Sequence, residues 1–178
     1  MIPLRFHWRL VQRGEGAGAS PQRVAEEAAL PALAEQIAFC RAAEESGIDS
    51  LLVDFNLGKP DPMMLALPLA RATRQLKLMV AHRPGLMSPA LFVQQVNTFS
   101  VLAGGRITLN LVAGHSPAEQ RAYGDGLDHD ERYGRMDELL AVCRAFWARE
   151  GPVGFQGSCY RVEEGRLNTP FADRDGGR

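Results

Sequence analysis

The sequence predicts an α/β protein on a parallel sheet, and three observations carry that prediction. Apolar or alternating segments that read as strands are followed four times over by helical patterns. Proline tends to open those helices and glycine to stand just past their ends, the asymmetry expected of helix starts and stops. Four strand–helix units of this kind imply parallel strands joined by helical crossovers. Two architectures satisfy this: an open doubly wound sheet, or part of a (β/α)8 barrel, which as a complete domain needs about 250 residues. No GxGxxG follows the first strand and no GxxxxGK[ST] occurs anywhere, so the usual phosphate-cradling glycines of open sheets are missing. That favours half a barrel, with only about the first four β/α units present.

The elements follow in order. Leu4 to Val11 places Leu4, Phe6, Trp8 and Leu10 at period two and reads as the first strand. Gly14 to Ser20 is rich in Gly, Ala and Ser and reads as a mobile loop. Pro31 opens a helix with Leu33, Ile37 and Cys40 on one face, ending at Gly47. Ser50 to Val53 is a short buried strand with Asp54 at its carboxyl end. Pro62 to Thr73 is an apolar helix with a kink expected at Pro68. Leu76 to Ala81 is the third strand, and Pro89 to Ala103 the next helix, with Phe92, Val93, Val96 and Phe99 as its apolar face. Gly104 and Gly105 turn the chain into the fourth strand, Arg106 to Val112. A polar loop follows. Glu131 to Ala148 is then the clearest helix, with Met136, Leu139, Leu140, Cys143, Phe146 and Trp147 as a core-facing stripe. Phe155 to Tyr160 reads as a small hairpin turning at Gly157 and Ser158, and Asp173 to Arg178 as a disordered polar tail.

Composition excludes several classes of function. With 20 Lys plus Arg against 21 Asp plus Glu, the formal net charge is −1, which gives no electrostatic case for nucleic acid or an anionic membrane. No apolar run approaches the roughly 18 residues of a membrane span, and the first residues lack a signal-peptide core, so a cytoplasmic protein is expected. Cys40, Cys143 and Cys159 are odd in number and far apart, suggesting neither a disulfide framework nor a zinc site. HExxH, CxxC and GxSxG are absent, which leaves zinc hydrolysis, dithiol redox and nucleophile-elbow chemistry without support. Glu26-Glu27 and Glu44-Glu45 read as solvated helix faces.

In either architecture ligands sit at the carboxyl ends of the strands. The residues there are Asp54, then His82 and Arg83, then Asn110 with Gly114 and His115. Asp54 also suits a turn or cap, and His82-Arg83-Pro84-Gly85 a solvated turn. Asn110 is an amide in an otherwise apolar strand and needs partners if buried, whether a ligand or a structural group. In Asp128-His-Asp-Glu-Arg-Tyr133, His129 and Tyr133 stand four residues apart at the start of a helix, where its positive end suits a phosphate or other anion. A well-capped helix with a surface histidine and a half-buried tyrosine fits the same spacing.

Three stretches taken together carry a resemblance. They are Arg83-Pro-Gly-Leu-Met-Ser-Pro89, Leu102-Ala-Gly-Gly-Arg-Ile-Thr-Leu-Asn-Leu-Val-Ala-Gly114, and Asp128-His-Asp-Glu-Arg-Tyr133. In order and spacing they resemble the bacterial-luciferase-like flavin monooxygenases, most nearly the alkanesulfonate monooxygenase branch. The resemblance runs from Phe6 to about Pro170. It implies that residues 1–170 are the N-terminal half of a barrel domain, with 171–178 as a tail. It also implies an oxygenase using O₂ and reduced FMN, the flavin being supplied by a separate reductase, and acting on a small molecule. Asp54, Asn110, His129 and Tyr133 would then hold the cofactor, the last two against its side chain and phosphate; no residue is assigned to catalysis and none to a metal.

Departures from the pattern bear on substrate. The sulfonate branch carries a cysteine after the second strand, where this chain has Asn56-Leu-Gly-Lys-Pro-Asp61 with Lys59 nearest that place. Gln12-Arg-Gly-Glu15 stands where a histidine normally precedes a Gly-acid pair, and Val112-Ala-Gly114 replaces a threonine-bearing version. A non-catalytic truncated paralogue that binds flavin or pairs with a full-length relative, and a deazaflavin-dependent dehydrogenase of the same superfamily, fit the same motifs. A half barrel exposes two sheet edges, so association into a homo-oligomer or with a second barrel half is expected rather than a stable monomer.

Overall fold

A computed structural model of the chain describes residues 4–11, 33–114, 116–148 and 150–173. The Gly14–Ser20 loop, the Gln12–Glu15 stretch, Glu26-Glu27, the Pro31 helix start, His115 and the end of the tail lie outside the described residues. The chain divides into two compact units, Met1–His82 with Arg106–Asn110, and Arg83–Gly105 with Leu111–Arg178.

The first unit holds a four-stranded parallel sheet in the order β1 (His7–Arg9), β2 (Ser50–Val53), β3 (Lys77–His82) and β4 (Ile107–Leu111). Helices α1 (Leu33–Glu45) and α2 (Pro62–Ala72) belong to the same unit. Register pairs Val53 with Val80 and Leu51 with Leu78, so these four project to one side of the sheet, where all are buried. α2 packs on β2 and β3 and buries Leu65, Ala66, Leu69 and Ala70. Its start follows from Asp61, which accepts the Met64 N–H at 2.8 Å, and from Pro62 in the first turn. Pro68 lies inside α2.

Two details of this unit differ from the sequence reading. The first strand is three residues long, and its alternation does not mark a buried face: Leu4, Phe6 and Trp8 are 85%, 58% and 63% exposed, while Leu10 is buried. β1 is the edge strand and nothing in the described residues covers those side chains, so period two there records strand geometry without burial. On α1 the buried pair is Gln36 and Cys40, with Leu33 exposed, because Gln36 turns inward to donate to the Val11 carbonyl at 2.8 Å.

Glu44 is more than a solvated face. Its Oε1 accepts the N–H groups of Arg74, Gln75 and Leu76 at 2.9, 2.5 and 2.8 Å, tying α1 to the loop that enters β3. Arg106 is buried in the same neighbourhood. Its guanidinium donates to the Ala70 carbonyl at 2.6 Å, to Thr73 Oγ1 at 3.1 Å and to the Leu76 carbonyl at 3.2 Å.

The second unit contains α3 (Pro89–Leu102), α4 (Pro117–Ala122), α5 (His129–Ala148) and an antiparallel hairpin of β5 (Val153–Gln156) and β6 (Arg161–Gly165). α3 buries Phe92, Val93, Val96 and Phe99 as its spacing predicts, and packs on α5 through Leu139, Val142, Cys143 and Phe146. Asn97 links the two helices to the chain's last segment, accepting the Trp147 indole N–H at 2.9 Å and donating to the Thr169 carbonyl at 2.8 Å. The segment read as a polar loop contains α4. Ser116 caps it by accepting the Glu119 N–H, Pro117 opens it and Glu119 sits in its first turn, a start signature that the spacing of hydrophobic residues does not reveal. The hairpin is longer than the sequence suggests but turns where expected, Gly157 N–H donating to the Tyr160 carbonyl at 2.9 Å. Among the described residues no helix is long and apolar enough to cross a membrane.

Candidate functional site

The expected site residues fall two in each unit. In the first unit the face of the sheet opposite the buried one carries Leu52 on β2 and Met79 on β3, both half-buried. Continuing the alternation by one step past β2 brings Asp54 onto that face, near Ala81 of β3. Asn110 lies on β4, half-buried, and its amide makes no hydrogen bond with another described residue. Thr108, two residues earlier and hence on the same side of β4, has a buried hydroxyl without a partner among the described residues. The requirement that a strand amide find a structural partner is therefore not met by Asn110 within the described residues.

Asp54 is not a bare carboxylate. Its Oδ2 receives Lys59 Nζ at 2.8 Å and Arg9 Nε at 2.6 Å, and the Lys59 side chain is only 4% exposed. Lys59, the residue nearest the missing cysteine, is thus turned in on Asp54, and Arg9 reaches Asp54 from β1. Neither partnership was foreseen; Arg9 stood in a strand read only for its apolar positions. His82 is buried at the end of β3, and burial alone pushes its imidazole down to about 4, so it is neutral.

In the second unit Arg83 is buried and not in a solvated turn. It donates to Glu119 at 2.8 Å and stands 5.5 Å from the centre of the Tyr123 ring. Gly85 adopts φ +98°, and a Cβ there would overlap the Arg135 guanidinium, which is itself paired with Asp125. Glycine is required there by conformation.

His129 and Tyr133 are brought together. α5 begins at His129, two residues before the predicted start, and the two rings stack in a tilted arrangement with centroids 4.8 Å apart. Tyr133 is 48% exposed and His129 is also open to solvent. The helix end is already capped reciprocally: Glu131 N–H donates to Asp128 Oδ1 at 2.9 Å, and Asp128 N–H to Glu131 Oε2 at 2.8 Å. The Asp-x-x-Glu spacing could have announced this box. His129 Nδ1 lies 2.8 Å from Asp130 Oδ1, which makes Nδ1 the protonated nitrogen and turns Nε2 outward. Nε2 donates to an anion only when the ring is an imidazolium. The exposed imidazole and phenol fit a phosphoryl group in kind, and the orphaned Thr108 hydroxyl with the Asn110 amide fit a ring system bearing carbonyl and N–H groups. Among the described residues no group of three or more His, Cys, Asp or Glu side chains could hold a metal ion.

A half set of β/α units with polar side chains at the strands' carboxyl ends defines a barrel-type site scaffold, and comparison with known proteins gives the family. The luciferase-like monooxygenase family model matches residues 4–175, so the chain belongs to the luciferase-like monooxygenases. Among solved structures, EDTA monooxygenase (EmoA) from Chelativorans sp. BNC1 is similar at 22% identity and TM-score 0.75, over 93% of this chain and 46% of that one. The oxygenating constituent of 3,6-diketocamphane monooxygenase from the CAM plasmid of Pseudomonas putida, a type II Baeyer–Villiger monooxygenase in complex with FMN, is similar at 20% identity and TM-score 0.68, over 97% and 49%. An F420-dependent secondary alcohol dehydrogenase in complex with an F420–acetone adduct is similar at 21% identity and TM-score 0.70, over 80% and 46%. At these identities the likeness is one of fold. The chain spans about half the length of the structures it matches, and its fold is the corresponding part of a barrel.

Proposed function

We propose that the chain is the N-terminal half, residues 1–170, of a cytoplasmic two-component flavin monooxygenase domain that binds reduced FMN delivered by a separate reductase. The reduced flavin, once bound, supplies the oxygen chemistry; the protein binds, orients and shields it. In the second unit His129 and Tyr133 hold the phosphate end of the cofactor; in the first, Asp54, paired with Arg9 and Lys59, and Asn110 are the cofactor-binding candidates. The observation that carries the reading is the stacked, solvent-facing His129–Tyr133 pair at the start of α5 in a member of this family. The FMN complex of the diketocamphane enzyme supports FMN, and the F420 complex of the alcohol dehydrogenase makes a deazaflavin the rival. The substrate is a small molecule, with alkanesulfonates the nearest class by motif. The sheet edges at β1 and β4 are covered by a second barrel half or a second copy of the chain.

Anaerobic titration of the purified chain with reduced FMN and with reduced F420, followed by flavin fluorescence, tests this. Saturable FMN binding weakened about tenfold by His129→Ala and by Tyr133→Ala, the loss of one charge-assisted contact each, is the expected result. Preference for F420 would replace the monooxygenase reading by the dehydrogenase one. Binding of neither would refute a flavin site in this half and leave a non-catalytic partner.

A further inference from the structure

We infer that Arg132 is the positioning residue of this site: it fastens the first turn of α5, and with it His129 and Tyr133, to the backbone that leaves β4. The inference rests on the flavin reading above and deepens it. Arg132 lies inside the Asp128–Tyr133 run, yet neither the capping box nor the anion site employs it. It is only 8% exposed. A cation in the first turn of a helix opposes the macrodipole, and a buried one is costly unless its donors are satisfied. Both penalties are offset by geometry. Arg132 Nε–H donates to the Ala113 carbonyl at 3.0 Å and Nη1–H to the Leu127 carbonyl at 2.7 Å. One planar fork thus joins the segment after β4, the residue before the Asp128 cap, and α5 itself.

Asp125 supplies the counter-charge. Burial alone would raise its carboxyl, but hydrogen bonds from Arg135 and Leu127 and the charges of Arg135 and Arg132 outweigh it and hold the group below its ordinary range. The two carbonyls come from chain segments on either side of α4, a constraint that a purely local helix cap does not need. An ammonium cannot copy the fork, since it lacks two N–H donors in one rigid plane. His129 stands one turn before Arg132 and Tyr133 directly after it. Fixing Arg132 therefore fixes the spacing between that aromatic pair and the Val112–Gly114 segment.

The test separates positioning from stability by using two flavins that differ only in the phosphate. The full chain and its Arg132→Lys and Arg132→Met variants are titrated anaerobically with reduced FMN and with reduced riboflavin at constant ionic strength, and their thermal unfolding is recorded. The wild type is expected to prefer FMN by about tenfold or more, the worth of one charge-assisted contact. Arg132→Met should bring that ratio close to one and Arg132→Lys to an intermediate value, while riboflavin affinity changes little. A wild-type ratio retained in Arg132→Met, or equal weakening toward both flavins, overturns the inference and leaves Arg132 a structural fastener. If Arg132→Met does not fold, Arg132→Lys decides, and an unchanged ratio there overturns it equally. Wild-type chain that binds neither flavin refutes the flavin reading and the inference with it, whereas binding without sensitivity to Arg132 refutes the inference alone.

Discussion

Arg106→Met should cost the first unit about 3 kcal/mol, and the figure follows from what its guanidinium holds. Ala70 is in the last turn of α2, Thr73 is its C-cap and Leu76 leads into β3. Arg106 donates to all three, and its charge sits where a helix C-terminus favours a cation. Removing it leaves two buried carbonyls and a buried hydroxyl short of a donor, at about 1–3 kcal/mol for each group that stays unsatisfied. Against this, the buried charge is gone, and exchanging a buried ion for an apolar side chain of similar size can return about 1–4 kcal/mol. Full loss at the Leu76 carbonyl and partial loss at the Ala70 carbonyl, which keeps the Thr73 hydroxyl at 3.3 Å, less part of that return, give about 3 kcal/mol, or roughly 6–12 °C in Tm for a chain of this length. Urea unfolding followed by circular dichroism measures it, with the slope showing whether the transition stays two-state. Arg106→Lys can reach one acceptor and should recover less than half. A loss below about 1 kcal/mol in Arg106→Met, or a lysine variant as stable as the wild type, would refute the view that the fork pins α2 to β3.

The remaining predictions concern two further fasteners. Burial would raise the Glu44 carboxyl, but the N–H groups of Gln75, Leu76 and Arg74 and the charge of Arg106 hold it below its ordinary value of 4.5. A depressed carboxyl contributes stability that is present above that ordinary value and lost as pH falls through the folded one. Glu44→Gln should therefore cost roughly 1 kcal/mol at pH 7, discounted for solvent screening, and the gap between variant and wild type should be smaller at pH 3 than at pH 7. Equal urea midpoint differences at the two pH values would contradict this. Asn97→Leu removes the partners of the Trp147 indole N–H and the Thr169 carbonyl, both only partly shielded, and should cost about 1–3 kcal/mol. In a Trp8→Phe background, Trp147 emission should shift to the red and be quenched more readily by acrylamide; unchanged quenching would show that Asn97 does not hold that segment.

Much of the fold was legible because backbone signals and burial agree where an element packs on both sides. Ser50–Val53 and the apolar face of α3 were read to the residue, since proline, glycine and a continuous apolar run delimit them. The errors fall where those signals separate. β1 has strand periodicity without a covering layer, α4 has capping chemistry without apolar spacing, and Glu44 has a solvated helix position but three backbone N–H groups within reach. Of the site, the His129–Tyr133 contact was legible because four residues make one helical turn. The Asp54–Lys59–Arg9 cluster was not, because it depends on a loop folding back and on a neighbouring strand that alternation alone does not pair.

The motifs that carry the family resemblance divide by the direction in which their polar groups point. In Leu102–Gly114 and Asp128–Tyr133 the two arginines are buried and donate to backbone carbonyls, while the capping carboxylates accept from backbone N–H groups. Such residues report how a β/α unit is fastened. In the second run every residue but Arg132 is exposed, His129 and Tyr133 among them, while the Arg9–Asp54–Lys59 cluster beside the sheet lies outside every motif. The buried polar groups of these runs are therefore fasteners, and Lys59, where this sequence departs from the pattern it otherwise keeps, is turned in on Asp54.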